Sequence, residues 1–153
     1  MMSRQLQAEV EVQGSAERVW EVLTDFAAYH EWNPFIVQAA GQPLPGHRLE
    51  LHLRLNGRRT TTIRPEVLES DPGRKLRWLG RLLVPGMFDG EHSFTIQPAG
   101  PGRVRLTQHE EFRGLFAPLL LAMIAKPTLE SFRRMNQALK ARVEQSAPTR
   151  TTL

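Results

Sequence analysis

The sequence contains no cysteine. Disulfide bonds, thiolate nucleophiles and cysteine-ligated zinc are therefore excluded, and the absence is typical of proteins from a reducing compartment. An apolar signal core is also missing, because the opening stretch MMSRQLQAEVEVQG alternates between polar and apolar residues. We therefore expect a cytoplasmic location.

No hydrophobic run is long enough to cross a membrane. The longest nearly apolar stretch, Leu115 to Ala125, is interrupted by Pro118 and falls well short of the roughly 20 residues that a spanning helix needs. The net charge is +4, but the arginines are scattered along the chain instead of forming one stripe. The sequence therefore predicts no membrane span and no nucleic-acid binding.

Motifs for cofactors and for nucleophilic catalysis are lacking as well. No serine lies in a nucleophile-elbow pattern, and the segment GRLLVPG (residues 80–86) does not have the glycine spacing of a phosphate-binding loop. The sequence gives no reason to expect a cofactor.

The composition that remains is that of one globular domain. The chain has 153 residues, of which 41% are hydrophobic and 24% are charged, so it can form one core and still enclose a pocket. We expect a single domain over residues 1–146 and a flexible tail over residues 147–153, which are mostly small and polar.

One strand and two short helices are predicted at the beginning of the chain. Apolar residues occupy every second position of Arg4–Gln13, which is the pattern of a half-buried strand. Ser15 is a suitable N-cap for a helix that ends near Asp25. A second short helix over Ala27–Trp32 is expected to stop before Pro34.

About six further strands follow, separated by tight turns. Leucine alternates with polar residues through Leu49–Leu55, and Asn56-Gly57 predicts a hairpin turn into a strand that begins at Thr60. The other strands are expected near residues 35–37, 76–82, 88–96 and 104–112, with turns at 41–46, 71–73, 85–86 and 98–102.

The pattern changes to a helical period near Leu120. An apolar stripe that continues to Val143, with lysine and arginine on the other side, predicts one long amphipathic helix, bent by Pro127. Adjacent hairpins imply an antiparallel sheet, and only this helix is large enough to cover its inner face. The expected fold is α+β, a curved sheet of about seven strands wrapped round a long C-terminal helix.

Three segments resemble the polyketide cyclase/dehydrase-like branch of the START-like, or SRPBCC, superfamily. They are VWEVLTDFAAYHEWNPFI (residues 19–36), EEFRGLFAPLL (110–120) and FRRMNQALKARVE (132–144). The resemblance covers roughly residues 4–145 and implies a helix-grip fold with a deep apolar cavity between sheet and helix, entered near the short helices. This superfamily includes lipid carriers, plant hormone receptors, pollen allergens, aromatase/cyclases and chaperone co-activators, so the resemblance implies no single activity.

Two sets of residues are expected to line that cavity. Strand parity and the helical stripe direct the first set inward: Leu51, Leu53, Leu55, Ile63, Trp78, Phe94, Ile96, Leu106, Phe112, Leu120, Met123, Ile124 and Phe132. The second set lies where the resemblance places the mouth: Phe26, Trp32, Phe35, Met87, Phe88, Phe116 and, again, Met123. Any one of these side chains could equally be core packing, or part of an apolar cap over one end of the sheet. As a group they favour a pocket.

Three polar residues are predicted on the same inner face. The short turn at 98–102 places His92 opposite either Gln108 or Glu110. A buried His–Glu pair could orient a ligand hydroxyl or carbonyl, or move a proton. Alternatively these residues form a structural network, or a bulge turns one of them outward. One histidine and one glutamate do not supply three ligands, so no metal site is predicted.

The main hypothesis is a protein that binds or carries a small hydrophobic molecule, which is lipid-like, aromatic or polyketide-like. One alternative is an aromatase/cyclase or dehydratase, in which His92 and Glu110 move protons. Another is an interaction module of the chaperone co-activator type, for which the sequence indicates no particular protein partner. A cyclase should carry several acid or base groups at mid-cavity, and parity finds only one such cluster, which favours binding.

Overall fold

The computed structural model describes residues 4–55, 57, 59–81 and 86–145. This part of the chain contains eight strands and three α-helices. In chain order they are β1 (Arg4–Gln13), α1 (Ala16–Thr24), α2 (Tyr29–Trp32), β2 (Ile36–Ala40), β3 (Glu50–Leu53), β4 (Thr61–Ile63), β5 (Glu66–Asp71), β6 (Lys75–Arg81), β7 (Asp89–Pro98), β8 (Arg103–Arg113) and α3 (Ala117–Gln145). The predicted tail lies outside the described residues, as do Asn56, Leu82 and Pro85 of the predicted turns and strand.

The two short helices form where the sequence places them. The Oγ of Ser15 accepts a hydrogen bond from the backbone N–H of Arg18 at 3.1 Å, which caps α1. A 3-10 turn over Phe26–Ala28 leads into α2, so the predicted second helix is divided in two. The buried hydroxyl of Tyr29 donates to the carbonyl of Leu23, which fixes α2 against α1, and burial raises the pKa of Tyr29.

The strands form a five-stranded sheet, β1-β8-β7-β6-β5, and a three-stranded sheet, β2-β3-β4. Neighbouring strands are antiparallel throughout. Backbone hydrogen bonds join the two sheets, from Leu49 N–H to the Pro65 carbonyl at 2.9 Å and from Val67 N–H to the His47 carbonyl at 2.8 Å. Segment 47–49 thus continues β3 and pairs with segment 65–67, which makes β4 and β5 one strand bent at Pro65. The result is a single curved sheet, and the predicted α+β fold is confirmed.

The bend at Pro65 also explains why eight strands are observed instead of about seven. The sequence predicts one returning strand that begins at Thr60. Proline has no N–H to donate to a ladder, and the regular pairing of β4 ends just before it. The strand resumes as β5 at Glu66.

The long helix α3 lies across the inner face of the sheet. Its C-terminal half buries Phe132, Met135, Leu139 and Val143 against β1, β8 and α1. The helix continues through Pro127 without interruption, and the bend predicted there stays a prediction. None of the described helices is long and apolar enough to cross a membrane.

Ionic hydrogen bonds fasten the end of α3 to β1. The carboxylate of Glu144 accepts from the backbone N–H of Gln13 at 2.9 Å. Lys140 donates to the same carboxylate and to the Glu11 carbonyl, each at 2.9 Å. The Gln13 N–H, followed by Lys140, lowers the pKa of Glu144. The carboxylate therefore stabilises the docked helix only while it is ionised.

We expect Glu144→Gln to lower the free energy of unfolding by about 1 kcal/mol at neutral pH, because both donors lose a charged acceptor. The folded-state pKa lies below the ordinary value of 4.5, so this contribution is present above that pH and is lost as the pH falls through the folded-state pKa. Urea denaturation at neutral and acidic pH measures the difference. The matched control is Glu9→Gln, because Glu9 lies on the exposed face of β1. If the Glu144 variant were as stable as the wild type at neutral pH, the Glu144 carboxylate would not stabilise the docked helix.

Candidate functional site

Two separate clusters of buried apolar side chains lie between the sheet and α3. The main cluster contains Phe94 and Phe132 and extends over most of the inner face. The smaller cluster lies at the start of α3 and consists of Phe88, Phe112, Ala117 and Leu121. The half-buried Leu6 packs against both clusters. The apolar core is thus divided into two parts.

Between the two clusters, the inward positions of β7 and β8 are occupied by polar residues or by glycine. On β7 the inward positions between Phe88 and Phe94 are Gly90 and His92. On β8 the corresponding positions are Glu110 and Gln108. The three predicted polar residues therefore lie together, in the layer that separates the two clusters.

A continuous series of hydrogen-bonding groups passes through this layer. The Nε2 of His92 lies 3.0 Å from the Oε1 of Gln108, and the Nδ1 of His92 lies 3.4 Å from the Oε2 of Glu110. The Nε2 of Gln108 donates to the Oδ1 of Asn136 at 2.6 Å and to the carbonyl of Phe132 at 3.2 Å. We call Glu110, His92, Gln108 and Asn136 the polar chain.

Only one end of the polar chain reaches solvent. His92, Gln108 and Asn136 are 3%, 0% and 1% exposed, whereas the side chain of Glu110 is 17% exposed. The register pairs His92 directly with Glu110, which is one of the two pairings that the sequence allows. Asn136 is a member that the sequence analysis missed. Its position among the apolar residues of the helical stripe was the available signal, because a buried amide needs a partner.

The bonds of Gln108 show which ring nitrogen of His92 donates a hydrogen bond. The carbonyl of Phe132 can only accept a hydrogen bond, so the NH₂ group of Gln108 faces α3 and its Oε1 faces His92. The Nε2 of His92 must therefore carry a hydrogen and donate it. In the neutral imidazole, Nδ1 then has no hydrogen, and it faces the carboxyl group of Glu110. At the end of the polar chain that meets solvent, an acceptor nitrogen and a carboxyl group therefore face each other at 3.4 Å.

Aromatic rings hold the imidazole in place. The ring of Trp78 stacks on His92 with a centroid distance of 5.3 Å and an interplanar angle of 14°. Phe132 meets the imidazole edge-on at 5.0 Å, and Phe94 lies at 4.7 Å. His92 therefore presents Nδ1 to Glu110 from a fixed position.

Two facing glycines make room for the carboxylate of Glu110. Gly80 and Gly90 are paired across β6 and β7. A Cβ on Gly90 would lie 2.8 Å from the Oε1 of Glu110, so the carboxylate lies across this glycine. A Cβ on Gly80 would make ordinary contacts at 3.9 Å with Ile63 and Pro65. Neither glycine was predicted as a site residue, although their inward positions on adjacent strands are readable from the sequence.

Several apolar side chains near these buried glycines are only half-buried. Leu53, Leu55 and Ile63 point inward from the β3–β4 arm, yet they are only half-buried. Leu120 and Ile124 of α3 pack against the smaller cluster and are also half-buried. These five side chains border the glycine pair through Ile63 on one side and Phe112 on the other. We call this region the open groove.

The remaining predicted lining residues fall into three groups. Ten are buried: Phe26, Phe35, Leu51, Trp78, Phe88, Phe94, Ile96, Leu106, Phe112 and Phe132. Trp32 and Met87 are half-buried. Phe116 is 41% exposed and Met123 is 72% exposed.

The inward direction predicted for Met123 is wrong. The buried residues in the first half of α3 are Ala117, Leu121 and Thr128, and Met123 lies about 200° round the helix from Leu121. Spacing alone could not separate the two faces, because apolar residues occupy every side of the helix at this end.

Clefts lined by described residues also occur elsewhere on the surface. One of about 240 Å³ lies between α2 and the outer side of β2 and β3, and it includes His30, Glu50 and His52. Phe26 is the predicted ligand-binding residue that lines it. Among the described residues, no group of histidine and acidic side chains is arranged to hold a metal ion.

The fold and this site define a helix-grip domain of the START superfamily. More closely, the chain belongs to the family described as polyketide cyclase / dehydrase and lipid transport, whose model matches residues 3–144. No curated protein matches the sequence.

Solved structures with the same fold include a START superfamily protein and two enzymes. A START superfamily protein from Mycobacterium smegmatis is 25% identical, with a TM-score of 0.73 over 94% of this chain and 99% of that one. The Zhui aromatase/cyclase from Streptomyces sp. R1128 is 18% identical, with a TM-score of 0.74 and coverages of 94% and 95%. Norcoclaurine synthase from Thalictrum flavum is 13% identical, with a TM-score of 0.72 and coverages of 95% and 89%. The last two likenesses show the fold alone.

Replacing Gln108 tests the central link of the polar chain. We expect Gln108→Met to lower the free energy of unfolding by about 3 kcal/mol, because His92, Asn136 and the Phe132 carbonyl all lose a buried partner. Urea denaturation measures the loss. The same change at Gln7, which is exposed on β1, should cost less than about 0.5 kcal/mol. Similar small losses in both variants would show that the polar chain does not stabilise the fold.

Proposed function

We propose that this protein binds a small, mainly apolar molecule in the open groove and that a hydroxyl or carbonyl of the ligand contacts Glu110. The observation that carries this proposal is the position of Glu110. It is the one member of the polar chain with a solvent-accessible side chain, and it lies between apolar walls.

The walls supply the affinity. Leu53, Leu55 and Ile63 on one side, with Leu120 and Ile124 on the other, retain accessible apolar surface that a ligand would cover. Each square ångström of apolar surface removed from water contributes about 25 cal/mol. A site of this kind favours an apolar body, and the few polar groups fix its orientation.

The polar chain supplies the selectivity. As a carboxylate, Glu110 accepts from a ligand hydroxyl, and as a protonated carboxyl group it donates to a ligand carbonyl. A purely apolar molecule would cover the carboxylate without replacing its contact with water, which costs free energy. The pair therefore favours ligands that carry one oxygen function near the end of an apolar body.

The family description and the structural neighbours support this class of ligand. The family is described by lipid transport as well as by cyclase and dehydrase activity. The norcoclaurine synthase structure is described as a complex with dopamine and hydroxybenzaldehyde, which are small aromatic molecules with polar groups.

A second candidate function is a cyclase or dehydratase acting on a polyketide-like substrate. The His92–Glu110 pair favours it, because a fixed imidazole and a part-exposed carboxyl group 3.4 Å apart can take a proton from one substrate position and return it to another. We rank binding first because, among the described residues, this pair is the one acid–base group that reaches the open groove from the inner face.

Narrowing the groove tests the binding proposal. Leu120→Trp places an indole in the groove and should weaken the binding of anilinonaphthalene sulfonate at least about tenfold, as measured by fluorescence titration. Leu119→Trp is the matched control, because Leu119 directly precedes Leu120 and its side chain is 65% exposed. This change should leave the affinity unchanged. Equal effects of the two changes would place the bound probe outside the groove. Native mass spectrometry of the purified protein then identifies any molecule that it retains.

Glu110→Gln separates binding from catalysis. The amide keeps hydrogen-bonding capacity but cannot share a proton with His92, so under the binding proposal the affinity for a ligand identified in this way changes less than about fivefold. Conversion of a polyketide-like substrate by the wild type, with loss of that conversion in Glu110→Gln, would instead establish the enzyme.

A further inference from the structure

The start of α3 exposes a group of large apolar side chains. Leu115, Phe116, Leu119 and Met123 are 71%, 41%, 65% and 72% exposed. Among the described residues, the one other large apolar side chain with such exposure is Leu44, at 48%, in the turn before β3. We call the four residues the apolar tip. Exposed apolar side chains gathered in one place mark an interaction surface.

Two backbone N–H groups of the apolar tip are paired within the protein. The N–H of Leu115 donates to the carbonyl of Gly86 at 3.2 Å, and the N–H of Phe116 donates to the carbonyl of Met87 at 2.9 Å. The close approach depends on Gly114, where a Cβ would lie 2.5 Å from the Met87 carbonyl oxygen. The apolar tip is therefore held firmly, and these N–H groups do not need water, which is a requirement for entering an apolar phase.

Positive charge follows the apolar tip along the same face of the helix. Positions 116, 119, 123, 126 and 133 share one stripe of α3, and Lys126 and Arg133 are both exposed on it. The helical rise places Lys126 about 10 Å beyond Leu119 and Arg133 about 10 Å further. The only acidic residue nearby on this stripe, Glu130, pairs with Arg134 at 3.6 Å.

The sequence around the apolar tip carries no negative charge. No aspartate or glutamate occurs from residue 112 to residue 129, whereas Arg113 and Lys126 lie at the two ends of that segment. Arg113 pairs with Glu111, so its charge is partly balanced. Along α3, the charges that follow the apolar tip are therefore those of Lys126 and Arg133. From the sheet, Asp89 contributes a carboxylate that accepts from the Gly86 N–H at 3.3 Å.

We propose that the apolar tip docks onto the surface of a membrane that contains anionic lipids. An apolar end followed by a cationic band matches the layers of a bilayer leaflet, in which acyl chains lie below negatively charged headgroups. The four side chains enter the upper acyl region, while Lys126 and Arg133 contact the headgroups. Leu120 and Ile124 of the open groove belong to the same turns of α3, so docking brings the groove to the lipid surface. The proposal goes beyond ligand binding and is tested without any ligand.

Sedimentation with vesicles tests the docking. Wild-type protein should pellet with vesicles of equimolar phosphatidylcholine and phosphatidylserine, and at least about tenfold less with phosphatidylcholine alone. The double variant Leu119→Asp/Met123→Asp should lose binding to both compositions. Lys126→Glu/Arg133→Glu should lose only the preference for phosphatidylserine. Leu44→Asp, which adds a carboxylate at the other exposed leucine, is the control and should bind as the wild type does.

The absence of cysteine allows a second, direct measurement. Met123→Cys and Leu44→Cys each carry a single thiol that an environment-sensitive nitrobenzoxadiazole dye can label. On addition of the phosphatidylserine vesicles, the label at 123 should shift its emission to the blue as it enters the acyl region, and the label at 44 should not.

Three results would overturn the proposal: no pelleting of the wild type, undiminished pelleting of the Leu119→Asp/Met123→Asp variant, or an unshifted label at position 123. If the wild type instead bound a protein through the apolar tip and did not bind vesicles, the apolar tip would be a protein interface. Each of these results leaves the groove proposal standing, because that proposal is tested by the Leu120→Trp titration in the absence of vesicles.

Discussion

The site depends on the hydrogen bonds of one side chain, the amide of Gln108. Its NH₂ group is held by the helix and its oxygen by the sheet, so the amide joins α3 to β7 at a single point. The carbonyl of Phe132 cannot donate, and this fact alone decides which way the amide points. The orientation of the amide decides where His92 carries its hydrogen, and that hydrogen decides what Glu110 can do. A structural bond deep in the core thereby determines the chemistry at its edge.

Absent side chains are as important to the site as those present. A residue larger than glycine at position 90 would push the carboxylate of Glu110 away from His92. The space that Gly90 leaves on the inner face is therefore occupied by the side chain of Glu110, from the neighbouring strand β8. The division of the apolar core into two clusters has the same origin, because no apolar side chain from β7 or β8 spans the gap.

Much of this architecture can be predicted from the sequence. Alternation along β1, β7 and β8 gives the inner face correctly, and it brings His92, Gln108 and Glu110 into one layer. Alternation works there because one face of these strands is buried and the other is wet. It does not give the bend at Pro65, because a proline can end a strand, stand at its edge or bend it, and only the pairing partner decides among these outcomes.

The exposed side of α3 near its start could not be predicted from the sequence, for a related reason. Between Leu115 and Ala125 almost every residue is apolar, so no polar face marks the exposed side and the direction of Met123 cannot be read. The hydrogen bonds of Asn136 are equally hidden, because they depend on the distance between helix and sheet. Long-range geometry therefore determines the parts of the site that local pattern leaves undecided.

The bend at Pro65 has a further consequence for how such a protein could change over time. The arm formed by β2, β3 and β4 contributes Leu53, Leu55 and Ile63 to one wall, whereas the polar chain belongs to the five-stranded sheet and α3. The dimensions of the groove and the chemistry at its end are thus encoded in different parts of the chain. Substitutions in the arm can therefore widen or narrow the groove without disturbing the pairing of His92 with Glu110.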